Sequence, residues 1–147
     1  SQSVYLLDES IKNNISYFSS EFEMNENAKI KKIYKVIEDS QLSKFIKGLP
    51  DGIDTIIGEN GVRISGGQKQ RIGIARALYS DVSLIFFDES TSSLDSETES
   101  LLLNEISKLK RDKTIILISH KESTLKFCDK VIFISDGKIN IDKKESN

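Results

Sequence analysis

The sequence predicts an α/β fold in which helices cover a parallel sheet. Two apolar runs of strand length, Leu84 to Phe87 and Ile115 to Ile118, indicate strands buried on both faces. Apolar residues recur with helical spacing on either side of these runs. Both runs are followed by polar residues, and open α/β folds bind their ligands at the carboxyl ends of the strands. The functional site is therefore expected at that edge of the sheet.

Composition limits the classes of protein that fit. The chain has 147 residues, of which 37% are hydrophobic and 30% charged, a globular composition with enough residues for one domain. A net charge of −2 gives no electrostatic footprint for nucleic acid, and the apolar runs are too short for a transmembrane helix. The single cysteine, Cys128, excludes an internal disulfide and suits a reducing cytoplasmic compartment. Because the chain begins with Ser1, it is read as a fragment of a longer protein.

The first half of the chain is predicted to be helical. One helix begins near Asn25, and a shorter one covers Leu42 to Leu49. A turn at Pro50-Asp51-Gly52 follows them. The apolar face of the longer helix is marked by residues three and four apart: Ile30, Ile33, Tyr34 and Ile37.

The segment after Ile64 is predicted to bind an anion. Ser65 is a favourable N-cap, and Gly66 and Gly67 let a phosphate approach the backbone at the positive end of the helix dipole. Further along, Asp88 and Glu89 follow the first apolar strand. One carboxylate can hold Mg²⁺ and the next can position water, and strand alternation is expected to point the two side chains in opposite directions.

The remaining elements complete the predicted sheet. Ser96 is expected to cap a helix. The strand from Thr114 to Ile118 ends at Ser119-His120, and a histidine at a strand end is well placed to contact a ligand. The apolar face of that helix is predicted to be Leu102, Leu103, Ile106 and Leu109. The last elements are predicted as a short helix from Glu122 to Phe127, a strand from Lys130 to Ser135, a turn at Asp136-Gly137 and a strand from Lys138 to Ile141.

In their order and spacing these motifs resemble those of the ATP-binding cassette (ABC) ATPases. The run from Ser65 to Gln68 looks like the family's signature motif, and Asp88 and Glu89 look like the Walker B aspartate and the catalytic glutamate. The run from Ser92 to Asp95 is similar to the D-loop, and His120 to the switch histidine. Each motif alone is weak, but the set is specific.

The resemblance implies a fold and its boundaries. The chain is expected to be the C-terminal part of a P-loop NTPase domain that begins at the Q-loop glutamine, Gln2. Residues 8 to 64 would form the helical subdomain, and residues 65 to 147 the core with the signature helix, Walker B, D-loop and H-loop. The Walker A loop is missing, because the only Gly-Lys pair, Gly137-Lys138, lacks both the earlier glycine and the following hydroxyl.

Roles for the catalytic residues follow from the same resemblance. ATP and Mg²⁺ are the expected ligands. Asp88 and Gln2 would hold the metal, while Glu89, His120 and Gln2 would act in catalysis.

The resemblance also implies partners. The residues Ser65, Gly66, Gly67 and Gln68 would contact ATP held by a second nucleotide-binding domain in a head-to-tail dimer. Asp95 would link the two sites. A transmembrane domain is the other expected partner, which places the chain at the cytoplasmic face of the membrane.

Two stretches are similar to the exporter and flippase branch of the family. Residues 3 to 15, with Tyr5 and Leu6 as candidate coupling contacts, follow an exporter-like pattern, as does Gly58-Glu59-Asn60-Gly61. Two alternatives stay open. A soluble ABC ATPase of DNA repair or chromosome maintenance is disfavoured because no sustained heptads separate Gln2 from Ser65, and a non-hydrolysing regulatory module is disfavoured by the presence of Glu89 and His120.

Overall fold

The computed structural model describes residues 4–17, 24–58, 61–80, 82–89, 91, 94–108 and 113–143. The helices are α1 (Ile11–Ser16), α2 (Glu26–Asp39), α3 (Ser43–Lys47), α4 (Gly66–Tyr79), α5 (Ser96–Lys108) and α6 (Glu122–Leu125), with a 3-10 turn at Gly52–Asp54. The strands are β1 (Glu9–Ser10), β2 (Ile56–Ile57), β3 (Leu84–Asp88), β4 (Thr114–Ile118), β5 (Lys130–Ser135) and β6 (Lys138–Lys143). Several residues of the predicted motifs lie outside the described ranges: Gln2, Glu59, Asn60, Ser92, Ser93 and Leu109.

The first half is helical, as predicted. Asn25 caps α2 by accepting a hydrogen bond from the Ala28 N–H at 2.9 Å. The predicted apolar face of α2 is wrong at Tyr34, which is 54% exposed, whereas Val36 is buried. The buried residues Ile33, Val36 and Ile37 form a stripe centred near Ile33, and Tyr34 lies about 100° around the helix from it.

The signature helix α4 lies between two hydrophobic cores. Ile72, Ala75 and Tyr79 pack into the core formed by α1, α2 and α3. Ile74, on another face, packs with β3 and α5 in the second core. A displacement of α4 therefore affects both the helical part and the sheet.

Strands β3 and β4 pair in parallel, with Leu84 opposite Thr114 and Asp88 opposite Ile118. Within the described ranges β3 is buried on one face only, so the predicted burial on both faces would need covering elements outside them. Ile85 is 4% exposed, but the next residue, Phe86, is 61% exposed. Helix α5 covers one face of the pair through Leu102 and Ile106, and no described element covers the other.

The C-terminal hairpin is confirmed. β5 and β6 are antiparallel, and the turn residues Asp136 and Gly137 both have positive φ, 50° and 71°. This is the backbone conformation that a two-residue hairpin of the primed type requires. Strand β6 continues to Lys143, two residues beyond the predicted end at Ile141.

Candidate functional site

Two strand ends bring acidic residues and the histidine to one edge of the sheet. Asp88 is the last residue of β3 and is exposed. The N–H of Glu89 donates to the carbonyl of Ile118 at 3.0 Å, which extends the β3–β4 pairing by one bond. The carboxyl ends of both strands are therefore fixed at the same level.

Glu89 leaves the strand with an unusual backbone. Its φ is 46°, in the left-handed region, which a residue with a side chain adopts at a cost of about 1–3 kcal/mol. Strand alternation therefore does not reach Glu89, because β3 ends at Asp88 and the backbone of Glu89 has left the strand conformation. The left-handed turn, rather than the pleat, sets the direction of the Glu89 side chain.

His120 faces Glu89 across this edge. Its Nδ1 lies 3.4 Å from Oε1 of Glu89, a long contact between side chains that are 73% and 39% exposed. The turn that carries His120 is fixed by Ser119. The Ser119 Oγ accepts from the Lys121 N–H at 3.1 Å and contacts Oγ1 of Thr124 at 3.2 Å. An open carboxylate–imidazole pair of this kind can accept a proton and contact an anion.

The signature helix begins with a capping box. Oγ of Ser65 accepts from the Gln68 N–H at 3.2 Å, and the Ser65 N–H donates to Oε1 of Gln68 at 2.9 Å. Two donors at the helix start are satisfied in this way. The side chain of Gln68 is thus directed back to Ser65, while the first-turn N–H groups of Gly66 and Gly67 stay at the positive end of the dipole.

Two arginines of α4 donate hydrogen bonds to backbone carbonyls of the helical half. Arg71 donates to the carbonyl of Gln41 at 2.9 Å. Arg76 donates from Nε to the carbonyl of Asn14 at 2.8 Å and from Nη1 to that of Tyr5 at 3.0 Å. Burial lowers the pKa of both guanidinium groups.

The signature residues and the strand-end residues do not form one cluster in this chain. Ile74 is the first α4 residue that packs on the sheet core, followed by Ala77 and Leu78, and Gly66 lies eight residues before Ile74. At 1.5 Å per residue, that places the helix start about 12 Å along the axis from the contact. Among the described residues no hydrogen bond or ion pair joins the signature residues to the strand-end residues, so the two groups are two half-sites.

Asp95 caps α5, where Ser96 had been expected to do so. Its Oδ1 accepts from the Thr98 N–H at 2.9 Å and its Oδ2 from the Thr98 hydroxyl at 2.8 Å. These hydrogen bonds, with a smaller contribution from the charge of Arg71, lower the pKa of the Asp95 carboxyl. Aspartate is as good a cap as serine, and the two-pronged contact with Thr98 decides between them.

Two polar contacts were not anticipated from the sequence. Asn14, 0% exposed, hydrogen-bonds the backbone of Leu7 and lies under Arg76. Glu99, 4% exposed, pairs with Lys121 at 3.0 Å. A signal for the second was present, because Glu99 stands three residues before Leu102 on the apolar face of α5.

The described ranges contain no cluster of three or more metal-binding side chains. They also contain no helix with the length and apolar character needed to span a membrane.

Comparison with known proteins decides the family. Residues 3–92, more than half of the chain, match the family model described as ABC transporter. The chain belongs to the ABC transporter family. This membership implies nucleotide binding and confirms the predicted fold as part of a P-loop NTPase domain.

The relatives of this ABC transporter sequence are much longer than the chain. It is 41% identical over 139 residues to the ATP-dependent lipid A-core flippase of Photobacterium profundum and 40% identical to that of Idiomarina loihiensis. In both cases the alignment covers 95% of the chain and 23% of the relative. A bacterial Atm1-family ABC exporter with ATP bound is similar in structure, with a TM-score of 0.78 and 32% identity over 92% of the chain and 23% of the exporter.

Proposed function

We propose that the chain is part of the ATP-hydrolysing domain of an ABC exporter or flippase, in which ATP turnover drives movement of a substrate across a membrane. The observation that carries the proposal is the strand edge where Glu89 faces His120 at 3.4 Å directly after Asp88. A carboxylate and an imidazole with open access suit a reaction on a phosphate anion. The relatives named as flippases and exporters support the membrane role.

Each strand-end residue has a distinct task in this proposal. Water attacks the γ-phosphorus of ATP, the bond to the β–γ bridging oxygen breaks, and Glu89 accepts the proton of the water. His120 contacts the γ-phosphate and is held beside Glu89 by the turn at Ser119. Phosphoryl transfer depends mainly on such positioning and on neutralising charge.

The residues present suit a magnesium ion. Mg²⁺ takes one or two protein carboxylates together with substrate phosphates, and Asp88 offers an exposed carboxylate beside the phosphate position. When bound, the ion would supply charge neutralisation for the phosphates. Gln2 is proposed as its second protein ligand, and it lies outside the described residues.

The N-terminal end of α4, with the signature residues, would contact a second nucleotide and not the one at the strand edge of the same chain. Ser65 keeps its hydroxyl proton available, since its oxygen is the acceptor in the capping box. The N–H groups of Gly66 and Gly67 and the helix dipole would bind the γ-phosphate of ATP held by another nucleotide-binding domain. Gln68 would act mainly by fixing the Ser65 backbone, because its amide already contacts it.

The separation of the two half-sites supports the proposed assembly. A head-to-tail dimer puts the signature of one domain over the strand-end residues of the other, with Asp95 near the junction. A transmembrane domain would be the other partner, at the cytoplasmic face of the membrane. Two hydrophobic cores support the proposed division into a helical subdomain (8–64) and a core (65–147), and α4 contributes to both of them.

The test uses the complete protein that contains this chain, purified with its membrane portion. Glu89→Gln should keep Mg²⁺·ATP binding and lose about 10²–10⁴-fold in turnover, the typical effect of removing a general base. Asp88→Asn should instead raise the Mg²⁺ concentration needed for half-maximal turnover. Near-normal turnover by Glu89→Gln would show that this carboxylate is not the catalytic one.

A further inference from the structure

The Lys121–Glu99 ion pair links three segments of the catalytic region. Nζ of Lys121 lies 3.0 Å from Oε1 of Glu99 and donates to the carbonyl of Thr91 at 3.4 Å. The Glu99 side chain is 5% exposed and that of Lys121 is 29% exposed. The contact is therefore mostly removed from water.

Each partner of the ion pair is joined to a residue of the proposed site. Lys121 directly follows His120, and the N–H of Lys121 is held by Ser119. On the other side, the Glu99 N–H donates to the carbonyl of Asp95 at 2.9 Å. The pair thus connects the turn that carries His120 to the start of α5.

The third contact reaches the segment after Glu89. Thr91 lies two residues beyond it, and the Thr91 carbonyl accepts from both Lys121 and the Leu94 N–H, the latter at 3.1 Å. The Thr91 carbonyl thus contacts both Leu94, next to Asp95, and Lys121, next to His120. One ammonium group therefore joins Thr91, the start of α5 and the turn that carries His120.

Stability alone does not account for the pair. Glu99 occupies a position on the apolar face of α5 where leucine would continue the pattern of Leu102 and Leu103. Replacing a buried ion pair with apolar residues of similar volume is often neutral or stabilising. The pair therefore need not stabilise the fold, and its contacts with Thr91 and with the turn at His120 give it a geometric role.

We propose that the Lys121–Glu99 pair is a positioning element that holds His120, Thr91 and the start of α5 in register for ATP hydrolysis. The inference rests on the proposed function, because it assigns these residues to the same reaction. Movement of α5 at Asp95, where a second domain is proposed to contact the chain, is passed to His120 through this pair. Neither residue need touch ATP.

The test compares charge-neutral and charge-conserving variants of the complete protein. The double variant Lys121→Met/Glu99→Gln removes both charges and leaves no unpaired buried ion. We expect its kcat to fall about tenfold, a modest loss of positioning, with the KM for ATP within twofold and the melting temperature within a few degrees of wild type. Lys121→Arg should retain at least half of the wild-type kcat, because the guanidinium keeps the charge and reaches both acceptors.

A second ion pair on the same helix provides the control. The charged groups of Lys108 and Glu105 lie 2.7 Å apart at the other end of α5. The double variant Lys108→Met/Glu105→Gln removes both charges and should keep wild-type kcat. Wild-type kcat in the Lys121/Glu99 double variant would overturn the inference while leaving the proposed function intact. The inference would also be overturned if kcat falls because the protein unfolds. In that case the melting temperature is lowered and Lys121→Arg loses activity as well. Absence of ATP turnover in the wild-type protein would overturn the proposed function and this inference with it.

Discussion

Replacing Asn14 with alanine should loosen the attachment of α4 to the start of the chain. The Asn14 side chain accepts from the Leu7 N–H at 2.9 Å and from Nη2 of Arg76 at 3.3 Å. Its amide group donates to the carbonyls of Leu7, Glu9 and Ser10 at 3.1–3.2 Å. All of these bonds are made by a side chain with 0% exposure.

The size of the effect follows from which groups keep a partner. The carbonyl of Leu7 still accepts from the Glu9 N–H, and Arg76 still donates to the carbonyls of Asn14 and Tyr5. The Leu7 N–H loses its acceptor, at a cost of about 1–2 kcal/mol, and the two amide donors account for about 1 kcal/mol each. The sum is about 3–4 kcal/mol, which corresponds to a fall of roughly 6–16 °C in melting temperature for a domain of 150–250 residues.

The assay is scanning calorimetry of the complete protein, with Asn13→Ala as the matched control. Asn13 is the neighbouring residue, is exposed, and has one side-chain donor contact, to Glu9 at 3.0 Å. Its loss should lower the melting temperature by no more than about 2 °C, since exposed substitutions usually stay within about 0.5 kcal/mol. If Asn14→Ala melts within 2 °C of Asn13→Ala, the Asn14 network does not stabilise the protein as reasoned here.

Two further predictions concern the D-loop aspartate and the uncovered strands. Hydrogen bonds from Thr98 hold the pKa of Asp95 below its ordinary value of 3.8, so this stabilisation is complete above that value and is lost as the pH falls through the lower folded-state pKa. Asp95→Asn can still cap α5, and its melting temperature should fall below that of wild type at pH 6, with the gap closing towards pH 3; a gap that stays constant over this range would contradict the linkage. The 147-residue chain expressed alone should self-associate, because apolar side chains such as Phe86 and Ile134 are 61% and 74% exposed, and a monodisperse, cooperatively unfolding monomer in light scattering and calorimetry would refute this.

The sequence predicted the elements that depend on local pattern. Ser65 as an N-cap, the α4 helix and the Asp136-Gly137 turn all follow from backbone preferences over a few residues. The apolar runs likewise located β3 and β4. Such features need no knowledge of distant contacts.

The features that sequence reasoning missed depend on residues far apart in the chain. Arg76 contacts Asn14 across 62 positions, and no local signal joins them. The left-handed backbone at Glu89 is held by a hydrogen bond to the neighbouring strand, so alternation within β3 could not predict the conformation of the residue that follows it. Tyr34 and Phe86 were placed in cores because periodicity indicates a face but not what covers it.

The nucleotide retained by the Glu89→Gln protein tests the central claim most directly. The complete wild-type and variant proteins are incubated with Mg²⁺ and radiolabelled ATP, passed rapidly through a size-exclusion column, and the bound nucleotide is identified. If Glu89 accepts the proton of the attacking water, the variant carries intact ATP in a closed dimer. The wild-type protein carries either ADP or little nucleotide of any kind. Bound ADP in the variant, formed as fast as in wild type, would contradict the assignment of this strand edge as the hydrolytic site.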